Sequence, residues 1–112
     1  IKDLNSMPNL TSFRLGNTRV SGDIAVFKSL PKLTRVDICY SGVTGDIAVL
    51  QSLPKLTLFD LNSTGVTGDI AVLQGLLKLT EFILNDTGVT GNKEAFNEYR
   101  RSHRLKDCRV LI

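Results

Sequence analysis

One phrase governs what this chain can become. VTGDIAVLQSLPKLT at 43–57 returns as VTGDIAVLQGLLKLT at 66–80, and VSGDIAVFKSLPKLT precedes it at 20–34, each copy 23 residues from the next. Repetition at a period of about 20–50 residues marks stacked units, none of which can bury its apolar face alone. The 112 residues therefore read as one domain: a partial repeat at 1–6, repeats at 7–29, 30–52 and 53–75, and a last repeat with a C-terminal cap at 76–112. Ile1, Leu4 and Met7 fall in phase with Ile24, Phe27 and Leu30. The sequence thus opens midway through a unit, as expected of the C-terminal part of a longer array.

Four in-phase copies run Leu10, Phe13, Leu15, Thr18, Val20; Leu33, Val36, Ile38, Ser41, Val43; Leu56, Phe59, Leu61, Thr64, Val66; and Leu79, Phe82, Leu84, Thr87, Val89. This pattern resembles the leucine-rich-repeat family. The Thr-Gly-Asp-Ile segment resembles plant-type repeats, and the near-verbatim copying is similar to algal arrays. The resemblance implies an α/β right-handed solenoid, with a parallel β-sheet on the concave face, short helices or turns on the convex face and a helix-strand cap. Thr or Ser stands where the family has Asn. Its hydroxyl can still donate to a neighbouring carbonyl, so a hydroxyl ladder is expected in place of an asparagine one.

The residues themselves place strands at 12–15, 35–38, 58–61 and 81–84, where inward apolar side chains alternate with variable ones. Gly22, Gly45, Gly68 and Gly91 mark a turn to the outer face. Asp23, Asp46 and Asp69 then sit at the start of a short helix, where an acceptor and negative charge are favourable. Pro31 and Pro54 stop it. The last unit is longer and more polar. Phe96 and Tyr99 keep the inward phase, and Leu105-x-x-Cys108-x-Val110 reads as a final strand after an insertion of three residues. At the other end, Leu10, Phe13 and Leu15 are expected to lie exposed on an unpaired strand.

Charge is balanced through residue 92, and the net +3 comes from the cap, with Lys93, Arg100, Arg101, Arg104, Lys106 and Arg109 against Glu94, Glu98 and Asp107. Arg100, Arg101 and Arg104 make a candidate basic patch for an acidic protein, an anionic surface or nucleic acid; aromatics for base stacking are missing, so no nucleic-acid partner is expected. No apolar run is long enough for a membrane span. Cys39 and Cys108, placed on strands ~14 Å apart, are too distant for a disulfide, which needs ~7 Å or less. That favours a reducing, intracellular or organellar setting over secretion. Asn-x-Ser/Thr sequons at Asn9, Asn62 and Asn85 follow from the repeat and argue little for secretion. Cys39 is the one candidate reactive thiol.

Variation between near-identical repeats falls on the outward strand positions, which in the family line the concave binding face. The candidate partner-binding residues are Arg14, Arg35, Asp37, Tyr40, Leu58, Asp60, Asn62, Glu81, Ile83 and Asp86, with Tyr40 the aromatic anchor. The competing reading is drift on a solvated face. Asp37 and Asp60 on adjacent strands repel, and pairing with Arg14 and Arg35 is the expected remedy. Two carboxylates fall short of a calcium cage, so no metal is expected. No cofactor motif and no nucleophile-base constellation occurs. The expected function is a non-catalytic module binding a protein partner through the concave sheet. The alternative is a scaffold subunit of a larger assembly, organellar or photosynthetic, docking by its N-terminal edge or convex face.

Overall fold

The computed structural model describes residues 1–112. Each repeat contributes a three-residue strand to one parallel sheet: β1 (Ser12–Arg14), β3 (Arg35–Asp37), β5 (Leu58–Asp60), β7 (Glu81–Ile83) and β9 (Arg109–Leu111), in that spatial order. Register advances by one repeat per strand, so Phe13 pairs with Val36, Val36 with Phe59 and Phe59 with Phe82. The central residue of each strand is buried and its flanks face outward.

A second parallel sheet was not anticipated from the sequence. It comprises β2 (Ser21–Asp23), β4 (Gly42–Asp46), β6 (Gly65–Asp69) and β8 (Gly88–Thr90). Within β4 and β6 only Val43 and Val66 are buried. At most one apolar side chain per strand gives no alternation to read. The sheet arises because identical backbones stack at a fixed period and must pair their N–H and C=O groups. Gly68 shows how close the stacking is: its φ is +118°, and a Cβ there would lie 2.6 Å from Asp46 Oδ1.

The return segment is 3-10 helix in each repeat before the cap: Ile24–Ser29, Ile47–Ser52 and Ile70–Leu73, with Lys2–Ser6 in the first partial unit. Asp23, Asp46 and Asp69 cap three of them, each Oδ1 accepting from the amide of Ala25, Ala48 or Ala71 at 2.8 Å. Between sheets and 3-10 turns lies a single core of 26 apolar residues. Phe59 and Phe82 stack at 5.0 Å, and Phe96 meets Phe82 edge-on at 5.3 Å.

Two sets of hydroxyls tie the chain. Thr18, Ser41, Thr64 and Thr87 each donate to the carbonyl three residues earlier, at 2.7–2.8 Å, closing a turn within their own repeat. The ladder that links repeats is a different one. Thr34 donates to Thr11 O at 3.0 Å, Thr57 to Thr34 O at 2.8 Å and Thr80 to Thr57 O at 2.9 Å.

The cap departs from expectation in two respects. Helix α1 (Lys93–Ser102) is capped by Asn92, whose Oδ1 accepts from Ala95 N, but its buried residues are Phe96 and Arg100, while Tyr99 is only half-buried and stacks on His103 at 3.9 Å. A side chain at i+4 from Phe96 shares its face, so Arg100 takes the inward place. The final strand also pairs differently. Arg109 stands beside Glu81 and Val110 beside Phe82, a spacing of 28 residues (109 − 81), so the insertion is five residues and not three. Cys108 therefore stands one place before the strand, its thiol donating to Leu79 O at 3.1 Å. A slip of two preserves the in-out alternation and is invisible to periodicity. At the N-terminal side, Phe13 is buried against Phe27 and Leu10 half-buried; of the three residues expected in the open, Leu15 alone is exposed, at 41%.

Candidate partner-binding face

Parallel register turns the outward strand positions into rows. One row runs Ser12, Arg35, Leu58, Glu81 and Arg109; the next runs Arg14, Asp37, Asp60, Ile83 and Leu111. The shifted last strand adds Arg109 and Leu111, which the sequence reading had not included. Arg109 reaches Glu81 at 4.0 Å. Ile83 and Leu111 stand side by side, half-buried, and Leu58 is half-buried in the other row, while Arg14 and Arg35 extend into solvent.

Beyond the strands, Asn17, Tyr40, Ser63 and Asp86 occupy equivalent left-handed positions, with φ of 58°, 53°, 55° and 54°. Asn and Asp tolerate this region because their short polar side chains bond locally; a tyrosine there is uncommon. Tyr40 is 58% exposed at the rim of the rows. Asp86 is exposed and Asn62 half-buried in the same region.

At the centre, Asp37, Cys39 and Asp60 bring ligand-capable atoms within 4.8 Å of one another. Neither Arg14 nor Arg35 forms an ion pair with the two carboxylates, contrary to the expected pairing; the chain's ion pairs are Arg101–Asp107 and Arg109–Glu81. Both arginines stand on the outer strand positions, where water solvates a guanidinium at no cost. The carboxylates are held by local backbone instead, Asp60 Oδ1 accepting from Asn62 N at 3.0 Å and Asp37 Oδ1 from Cys39 N at 3.5 Å. Burial raises the Asp60 pKa, the Asn62 amide opposes that rise, and the charge of Asp37 adds to it. Cys39 is pushed up to about 11, first by burial and then by its hydrogen bond to Asp37 and the charges of Asp37 and Asp60. The thiol is thus protonated near neutrality, which corrects the expectation of a reactive cysteine.

The basic patch also changes. Arg100 is fully buried. Its Nε donates to Lys106 O at 2.6 Å, Nη1 to Gln74 O at 3.0 Å and Leu76 O at 2.7 Å, and Nη2 to Leu79 O at 3.1 Å. Arg101 grips Asp107 with two nitrogens, the shortest contact being 2.7 Å. Arg104 alone of the three stays exposed and free of an ion pair. The inward phase of Arg100 with Phe96 was the signal for its burial, masked by its charge.

No family model and no curated protein matches the chain. Solved structures do. An internalin (inlF) of Listeria monocytogenes str. 4b F2365 superposes with a TM-score of 0.71 at 25% identity, over 99% of this chain and 30% of that one. A pollen receptor kinase 3 superposes at 0.68 with 30% identity, over 82% of this chain and 46% of that one. Both neighbours are leucine-rich-repeat proteins, and both share the stacked parallel strands. The chain is a leucine-rich-repeat protein. It spans less than half the length of either neighbour. The leucine-rich-repeat architecture makes the five-stranded sheet its concave face and the 3-10 turns its convex face. It is a protein-interaction fold in general terms, and no helix is long and apolar enough to cross a membrane.

Proposed function

We propose that this leucine-rich-repeat chain is a non-catalytic module that binds a protein partner through its concave sheet. The observation that carries the reading is the register: positions that vary between otherwise copied repeats stand side by side in two rows of one sheet. The two rows carry Arg14, Arg35 and Arg109 together with the half-buried Leu58, Ile83 and Leu111, and Tyr40 stands exposed just beyond β3. A buried aromatic or arginine anchor with a polar surround is the usual energetic core of a protein interface. Asp37, Asp60 and Glu81 favour a partner that brings a cation to the centre. Asn62 and Asp86 complete the edge.

A photo-crosslinking residue placed at the exposed concave Arg14 should capture the partner from an extract of the native source, and one placed at the convex Val72 should not. Arg35→Ala and Tyr40→Ala should each reduce capture by about tenfold. Crosslinking from Val72, with the concave variants unaffected, would reject this face.

One observation favours a second reading, docking by the N-terminal edge. A cleft of about 690 Å³ lies there, lined in part by Ile1, Lys2, Asp23 and Val26. A crosslinker at Asn5 tests that reading in the same experiment.

A further inference from the structure

Outside the concave rows, the cap meets the turn leading into β7 in a cleft of about 400 Å³, lined by Leu77, Lys78, Leu105, Arg104 and Lys106 among others. Position 77 is where the earlier units carry Pro8, Pro31 and Pro54, yet here a leucine stands 72% exposed, the most exposed of the large apolar side chains. Lys78, Arg104 and Lys106 are exposed, and none of them takes part in an ion pair. The walls are preset. The buried guanidinium of Arg100 binds the carbonyls of Leu76 and Leu79 on one wall and of Lys106 on the other. Arg104 is fixed in the left-handed region at φ 60°, and Leu105 N donates back to Arg100 O at 2.7 Å.

We propose that this cleft is a docking site for an acidic peptide segment carrying one apolar side chain, distinct from the concave face. Uncompensated cations around an apolar tip complement carboxylates around an apolar anchor. A site whose walls are already ordered loses little entropy on binding. A concavity of this volume holds a side chain, whereas a flat lipid surface would meet only the single protruding leucine. No exposed aromatic lines the cleft, so nothing is offered for base stacking.

The test is fluorescence polarisation with a labelled peptide whose central phenylalanine is flanked by glutamates, beside its lysine-flanked counterpart. The acidic probe should bind, and more tightly at low salt. The double variant Lys78→Glu/Lys106→Glu should weaken it by about tenfold or more, and Leu77→Ser by about threefold or more. Arg35→Ala on the concave face should leave it unchanged. All four substituted side chains are exposed, so the fold is not at stake. Absence of binding, equal binding of the lysine-flanked peptide, or insensitivity to the charge reversals overturns the proposal. So does tighter, variant-sensitive binding to mixed phosphatidylserine–phosphatidylcholine vesicles, which would assign the cleft to an anionic lipid surface. None of these results touches the reading of the concave sheet.

Discussion

Cys39 and Asp60 sit side by side in the middle of the concave sheet, and both resist ionisation. For Cys39 the expected outcome is slow alkylation. A thiol moved from 9.0 to about 11 holds about a hundredfold less thiolate near neutral pH, so iodoacetamide should modify it about that much more slowly than a free thiol. Asp37→Asn should speed the reaction. For Asp60 the sign runs the other way from a salt-bridged carboxylate. Its folded pKa lies above the unfolded value, so the folded form holds the proton more tightly. The stabilisation is fully present below the ordinary carboxylate range and lost as pH rises through the folded pKa. Asp60→Asn should therefore raise stability at pH near 7 relative to the parent, and the advantage should shrink as pH falls toward 4 in urea titrations. Tyr40 belongs to the same scale. Its inward-outward phase marked it for the surface, but its left-handed backbone could be read only by analogy with Asn17, Ser63 and Asp86.

At the scale of elements, the hydroxyl ladder and the cap decide how units hold together. Thr57 both donates to the repeat before it and accepts from Thr80 in the repeat after it. Thr57→Val removes one donor from a half-buried site, and chemical denaturation should show a loss of about 1 kcal/mol. Arg100→Met is the severer change. It strands the carbonyls of Gln74, Leu76 and Lys106 and leaves Leu79 O only the Cys108 thiol, and a loss of about 3 kcal/mol or more is expected from the same measurement. Leu77→Pro restores the residue of the three earlier turns and should be tolerated, gaining about 0.4–1 kcal/mol through the unfolded chain. The strands of the concave sheet were legible from the apolar alternation to within one residue. Sheet two was not, because Gly-Val-Thr-Gly-Asp carries one buried side chain and its order comes from backbone stacking. The last strand's register was lost for a comparable reason: a two-residue slip leaves Cys108 and Val110 both facing inward.

Across the whole molecule, contacts run between neighbouring repeats, so local stability should follow position along the stack. Central repeats are covered on both sides, and Val43, Leu50, Leu56 and Leu61 are wholly buried. On the isolated stretch of residues 1–112, hydrogen exchange followed by mass spectrometry should find amides at 42–66 the slowest and those at 1–23 the fastest, with uniform exchange counting against a stacked array. The candidate binding rows were legible at this scale, since the period alone sets which residues become neighbours. Their ionisation was not, because the arginines at 14 and 35 reach for water and not for the aspartates.

Asn97 carries a consequence for edge-to-edge association. Its side-chain amide both donates to Cys108 O at 2.9 Å and accepts from Cys108 N at 2.8 Å. In the β7–β9 pairing Arg109 N turns toward Thr80 O, so the peptide groups of Cys108 face away from the sheet, on the rim a further strand would join. The Asn97 carboxamide imitates a neighbouring strand at that one peptide step. A strand arriving beside β9 would have to displace this side chain before it could pair with Cys108. The chain's own helix thus stands guard at the entrance to its last strand.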